Sequence, residues 1–72
     1  MYYLYSLSAC TYCIKAKDLL EEAGIEYVEV NLDNDDEGRQ YLRDLGHNTV
    51  PQIWDESVHI GGYDNLLEAL NG

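Results

Sequence analysis

A chain of 72 residues has room for one hydrophobic core, so residues 1–72 are read as a single domain. Apolar residues make up 46% and interleave with polar ones, which excludes a disordered chain. A net charge of −10, with Lys15, Lys17, Arg39 and Arg43 as the only bases, excludes a binder of nucleic-acid backbone and a surface drawn to anionic membranes. Met1–Tyr5 is too short and lacks the basic flank of a secretory signal or membrane span. Two closely spaced cysteines do not make a secreted disulfide scaffold, so a reducing, cytoplasmic setting is expected.

In chain order, Tyr2 to Leu7 is apolar and aromatic and predicts a strand, with Ser6 and Ser8 at its exit. Thr11 to about Ala23 predicts a helix, with Cys13, Ala16, Leu20 and Ala23 on one face and Gly24 as its stop. Ile25 to Leu32 returns to strand character. Asp33–Glu37 is an acidic turn, and its carboxylates complement the positive start of a second helix over about Asp36 to Leu45. Leu42 and Leu45 are expected inward there. Thr49 to Trp54 predicts a third strand interrupted by Pro51, and Val58–Ile60 pairs back on it across the Asp55–Ser57 turn. Gly61–Gly62 breaks that hairpin, and Asp64 is expected to cap a last helix packed through Leu66, Leu67 and Leu70. The order is βαβαββα: an α/β fold whose four-stranded mixed sheet has helices on both faces, with a right-handed parallel crossover in its first β-α-β unit.

The chemistry concentrates at Cys10-Thr11-Tyr12-Cys13, which holds the only two cysteines. A bridge closing so short a loop removes little entropy from the unfolded chain, so the pair is a poor staple and a better reactive dithiol. Cys10 falls where the first helix begins. Unpaired backbone N–H groups and the helix dipole there favour thiolate over thiol, lowering the pKa from its free value of about 8.5. Cys10 is therefore the expected nucleophile. Cys13, one turn on and on the inner face, is the expected resolving thiol. Two blander readings stand beside this one. A structural zinc site would need a second cysteine pair or a suitable histidine spacing, and His47 and His59 do not supply it. Two unreactive core cysteines would not explain the placement between strand and helix.

Two further stretches bear on the dithiol. Proline at Pro51 cannot donate to a sheet ladder. If the Val50–Pro51 bond is cis, the Val50 main chain is available beside Cys10 to a peptide-like ligand, whereas an ordinary trans edge proline carries no such meaning. Gly61-Gly62-Tyr63-Asp64 allows close backbone approach and offers helix-start N–H groups to a carboxylate, or is simply a turn and a cap. Asp33-Asn34-Asp35-Asp36-Glu37-Gly38 has the look of a calcium loop, but a strand precedes it, Gln40 replaces an aliphatic residue, and Asp44 replaces the bidentate glutamate. It is read as a solvated helix start. Neither histidine is placed as an obvious base.

Together, Cys10-Thr11-Tyr12-Cys13, Ala16-Lys17, Thr49-Val50-Pro51-Gln52-Ile53 and His59-Ile60-Gly61-Gly62-Tyr63-Asp64 resemble a glutaredoxin over nearly the whole chain. The resemblance implies a thioredoxin-like fold, and a monomeric enzyme that uses glutathione to reduce disulfides and glutathione mixed disulfides of proteins. It implies that Cys10 takes up glutathione and Cys13 resolves dithiol reactions. By the same resemblance Tyr12 flanks the glutathione sulfur, Val50 pairs with its cysteinyl part beside a cis Pro51, and Thr49 supports that loop. Gly62, Tyr63 and Asp64 would receive the γ-glutamyl end, and Arg39 the glycyl carboxylate, although a solvated helix charge explains Arg39 equally well on composition. Two positions depart from the family. Thr11 stands where proline is usual, and members lacking that proline include some that hold a 2Fe–2S cluster between two subunits. Leu7 stands where many members carry a lysine. Three functions follow for testing: a glutathione-dependent enzyme, a redoxin fed by thioredoxin reductase and serving ribonucleotide reductase, and an iron–sulfur carrier.

Overall fold

The computed structural model describes residues 1–71. Its elements run β1 (Tyr2–Ser6), α1 (Thr11–Glu22), β2 (Tyr27–Asn31), α2 (Asp36–Asp44), β3 (Gln52–Asp55), β4 (Val58–Gly61) and α3 (Tyr63–Asn71). That is the expected βαβαββα order. The sheet is ordered β2-β1-β3-β4, so the first strand lies in its interior. β1 runs parallel to β2, from Tyr2 opposite Tyr27 to Ser6 opposite Asn31. It runs antiparallel to β3, with Tyr5 opposite Gln52, and β3 turns back into β4.

Side-chain alternation along β1 sends Leu4 to one face and Tyr5 to the other. On the first face Leu4 and Ile53 meet Ala16 and Leu20 of α1 and Leu66 of α3, all fully buried. Each such aliphatic side chain contributes about 1.5–3 kcal/mol through removal from water. On the other face Tyr5 stacks against Tyr41 of α2 with centroids 6.3 Å apart and meets Trp54 edge-on at 5.4 Å. Aromatic area thus covers what aliphatic packing covers opposite. The α1 helix is also tied across the sheet edge: Lys17 pairs with Glu29 at 2.9 Å, and the buried Ser6 hydroxyl donates to the same carboxylate at 2.7 Å.

Several boundaries differ from the sequence reading. Gly24, with φ of +70°, closes α1, and Ile25 N–H bonds back to Leu20 O at 2.9 Å. Ile25 is thereby committed to the helix end, and the strand begins at Tyr27. Ala23 is the C-cap of α1 and is exposed rather than on the inner face. Leu45, expected inward, is 48% exposed, because α2 ends at Asp44 and Leu45 is already its C-cap. Leu32 is buried at that end of the sheet with Leu42. β3 starts at Gln52, not Thr49, since Pro51 has no N–H to give the ladder.

Candidate functional site

α1 begins where the sequence placed its start. Cys10 is the N-cap, and its Sγ accepts a hydrogen bond from the Cys13 N–H at 3.1 Å. A cysteine sulfur therefore does what a serine or aspartate oxygen does at most helix starts. Cys10 N–H is itself held by Leu7 O at 3.2 Å, which fixes the chain entering the helix. The Cys10 side chain is half-buried, whereas Cys13 has no exposure, and both are free thiols. Burial first, and a side-chain hydrogen bond with Cys10 second, push the Cys13 thiol up to about 12. The two sulfurs are thus unequal: one at the surface on a helix start, the other protonated and enclosed at neutral pH.

The Val50–Pro51 bond is cis, and the Val50 carbonyl oxygen lies 3.7 Å from Cys10 Sγ. Across a groove of about 180 Å³ from this loop lies the start of α3. Tyr12, Thr49, Val50, Pro51, Gly62, Tyr63 and Asp64 all line that groove, so seven residues singled out from three separate stretches of sequence share one concave surface. The Tyr12 and Tyr63 rings stand 5.9 Å apart at its mouth, and Lys15 Nζ lies 5.0 Å from the Tyr12 centroid. Each is a carbon-rich wall with a polar tip.

The start of α3 is not capped as the sequence led us to expect. Asp64 lies inside the first turn and is exposed. Asn65 instead reaches back, its Oδ1 accepting from Gly62 N–H at 3.1 Å. The helix begins at Tyr63, one residue before Asp64, so Gly62 is left at the cap position, and Asn65, third in the helix, reaches back to its N–H as the third residue of a capping box does.

Arg39 lies outside the small groove. It lines an adjoining depression of about 370 Å³ with Leu7, Arg43 and His47, and the two share Thr49 and Val50 as a common wall. Its guanidinium donates from Nε to Leu32 O at 2.8 Å and from Nη2 to Asp33 O at 2.9 Å. It is neither a purely solvated charge nor an uncommitted ligand arm. The acidic run is likewise engaged by its own backbone. Asp35 caps α2 by accepting from Gly38 N–H at 2.9 Å, and Asp33 accepts from Ser8 N–H at 2.9 Å. Hydrogen bonding to the Ser8 side chain first, and to its backbone second, holds the Asp33 carboxyl below the usual range. Among the described residues no group of three or more His, Cys, Asp and Glu side chains is arranged to hold a metal ion. Nor, among those residues, is any helix long and apolar enough to cross a membrane.

Sequence reasoning missed Gln52. It is nearly buried, and its side-chain amide donates to Thr49 O at 3.0 Å and to Thr49 Oγ1 at 3.2 Å. The signal available was a lone polar residue between Pro51 and Ile53, at a position where a strand entering the core carries apolar side chains.

A surface cysteine at a helix start, a buried partner one turn later and a cis-proline loop against the first sulfur define a thiol–disulfide oxidoreductase of the thioredoxin-like class. Comparison with known proteins narrows the class. The glutaredoxin family model matches residues 3–60, and the chain belongs to the glutaredoxin family. A glutaredoxin of Pseudomonas aeruginosa is 44% identical over 64 residues, covering 88% of this chain and 76% of that protein. A buckwheat glutaredoxin–glutathione complex superposes with a TM-score of 0.84 at 30% identity, covering 97% of this chain and 67% of the other. NrdH-redoxin of Escherichia coli, described as glutaredoxin-like with a thioredoxin-like activity profile, superposes at 0.82 with 22% identity, covering 93% of this chain and 91% of the other. That last likeness is one of fold.

Proposed function

We propose that this chain reduces protein disulfides and glutathione mixed disulfides with glutathione as its reductant. The observation that carries the reading is the shared groove: seven candidate residues from three stretches line it, and one of them, Val50, has its carbonyl oxygen 3.7 Å from Cys10 Sγ. The solved complex of a related buckwheat protein with glutathione supports the same ligand. In this reading the glutathione cysteinyl part pairs with the Val50 main chain. Its γ-glutamyl carboxylate meets the first-turn N–H groups of Tyr63 and Asp64, and Tyr12 covers the sulfur. Arg39 supplies a positive wall toward the glycyl carboxylate. A chain of net charge −10 needs such local donors to hold an anionic ligand.

The exchange follows from the inequality of the two sulfurs. Cys10 thiolate attacks the glutathionyl sulfur of a mixed disulfide, forming a Cys10–glutathione disulfide and releasing the protein thiolate. A second glutathione thiolate then attacks the glutathionyl sulfur, giving glutathione disulfide and restoring Cys10. With a protein disulfide, Cys10 forms the mixed disulfide and releases one protein thiolate; Cys13 then attacks the Cys10 sulfur, releasing the second and leaving a Cys10–Cys13 disulfide, which two glutathiones reduce to the dithiol as they become glutathione disulfide. Cys13 stays protonated while Cys10 is a neighbouring thiolate. Loss of that negative charge in the mixed disulfide removes one of the influences that raise the Cys13 pKa.

The Cys13 thiol is enclosed, so Cys10 alone would face an iron–sulfur cluster from this chain, and the other ligands would have to come from outside it. One cysteine is what a cluster shared with glutathione and a second subunit would take from this chain.

The test separates the two cysteines. Cys10→Ser is expected to abolish turnover of a glutathionylated peptide. Cys13→Ser keeps that turnover while losing reduction of a protein disulfide. Equal loss in both variants on the glutathionylated peptide would falsify the division of labour. Faster reduction of the oxidised protein by NADPH with thioredoxin reductase than by glutathione would replace glutathione as the donor, and would bring ribonucleotide reductase forward as the partner.

A further inference from the structure

We propose that Gln52 is a positioning residue that sets the direction of the Val50 N–H, and that His59 in turn sets Gln52. The proposal deepens the glutathione reading, because Val50 is the main-chain partner that reading assigns.

Gln52 is the first residue of β3 and is 6% exposed. A buried amide must place both of its ends. Nε2 sits 3.0 Å from Thr49 O and 3.2 Å from Thr49 Oγ1, while Oε1 sits 2.8 Å from Nε2 of His59. The amide orientation follows from chemistry: turned over, Oε1 would face the Thr49 carbonyl oxygen, acceptor against acceptor. With Nε2 donating to Thr49, Oε1 must accept, so His59 Nε2 carries the proton. His59 is the neutral Nε2–H tautomer, consistent with burial first, and the nearby His47 second, holding its pKa below the ordinary histidine value. Its ring packs beside those of His47 at 4.3 Å and Trp54 at 4.6 Å, which meet each other at 5.7 Å, centroid to centroid.

The consequence lies one bond further on. Thr49 C=O and Val50 N–H belong to one planar trans peptide, so they point in opposite directions. Drawing the Thr49 carbonyl toward the buried Gln52 amide turns the Val50 N–H away from Gln52, toward the side on which Val50 faces Cys10. The side chain therefore acts on ligand binding through the peptide plane without touching the ligand or the reacting sulfurs.

Gln52→Met keeps the length of the side chain and removes all three hydrogen bonds. Three measurements on the full chain are compared with wild type: KM and kcat for a glutathionylated peptide, the rate of Cys10 alkylation by iodoacetamide, and the Val50 amide resonance in ¹H–¹⁵N spectra. Loss of the two bonds to Thr49 is expected to raise KM about tenfold, with kcat and alkylation within about twofold. The Val50 resonance is expected to move. His59→Phe, which leaves Gln52 in place but takes its donor, is expected to raise KM by a smaller factor in the same direction. An unchanged KM in Gln52→Met, or a parallel loss of KM and alkylation, overturns the proposal, since the latter is general loosening of the site. If wild type shows no saturation with the glutathionylated substrate, the glutathione reading fails instead. The Val50 resonance then decides this one: movement in Gln52→Met sustains it, and an unmoved resonance ends it.

Discussion

The two ends of the site are built on different principles. The small groove by α3 presents main chain and rings: the Val50 peptide, the α3 start, Tyr12 and Tyr63. The adjoining depression presents two cations, Arg39 and Arg43, with the His47 ring in the same wall. Backbone groups are rigid and carry partial charge, so their selectivity comes from placement. Guanidinium groups carry full charge, but Arg39 already shares its donors with two carbonyls of the loop leaving β2. One end is therefore organised by its own cap, and the other is organised by the same side chain that would hold the ligand. Changes at the first end can separate binding from stability, whereas changes at Arg39 cannot.

The largest contrast lies within a glycine pair. Gly61 has φ of +122°, and a Cβ there would stand 2.5 Å from Asn65 Oδ1, the atom that caps Gly62 N–H. Gly61→Ala is expected to lower stability by about 1–3 kcal/mol, read as the midpoint of a denaturant titration. Gly62→Ala meets only Pro51 O at 3.6 Å, an ordinary contact, and is expected to stay within about 0.5 kcal/mol of wild type while narrowing the groove and raising KM. Equal destabilisation by both would show that the cap is not what organises this end.

Next comes the cationic end. Arg39→Lys keeps the charge and loses the fork that bonds Leu32 O and Asp33 O, so stability is expected to fall by about 1–2 kcal/mol together with a rise in KM. The Arg43 side chain has a single long bond among the described residues, to Gln40 at 3.4 Å, and Arg43→Lys is expected to change stability by less than about 0.5 kcal/mol. A calorimetric melt of both variants checks the pair.

The smallest effect serves as a control away from both ends. Hydrogen bonds from Ser6 first, and from Lys17 second, hold the Glu29 carboxyl below its ordinary value. A depressed folded-state pKa stabilises the fold above the unfolded value and is lost as pH falls through the folded one. Glu29→Gln is expected to cost less than about 1 kcal/mol at pH 7, since the side chain is a third exposed, and the gap should close on acidification. Unfolding midpoints across pH read the difference. A gap that widened toward acid would contradict the assignment.

Much of this was legible in the sequence because the signals were local. A helix starting at Thr11, a buried Cys13 and a turn at Asp55–Ser57 follow from periodicity, spacing and turn chemistry within a few residues. The four stretches that resemble a glutaredoxin also named the residues that share the small groove. What was not legible was relational. That Asp64 lies inside α3 and Asn65 bonds back to Gly62 depends on the helix starting already at Tyr63. Whether Leu45 points inward depends on α2 stopping at Asp44. The donors of Arg39 are engaged by carbonyls six and seven residues earlier, and the Gln52 amide by a histidine on another strand. No composition or period carries those facts: each spans only a few residues, but depends on the residue at which a helix starts or stops and on how a loop or hairpin closes.

The position of β1 inside the sheet has a consequence for how the site comes into being. Its parallel neighbour β2 follows after a single helix, but its antiparallel neighbour β3 is contributed by residues some fifty positions further along. Closing that longer span costs more chain entropy and comes later than the local pairing. The Thr49–Pro51 loop reaches Cys10 only through the docking of β3 on β1, so the dithiol gains its wall from that long-range pairing. A nascent chain halted before residue 49 would carry both thiols without the surface that makes them selective.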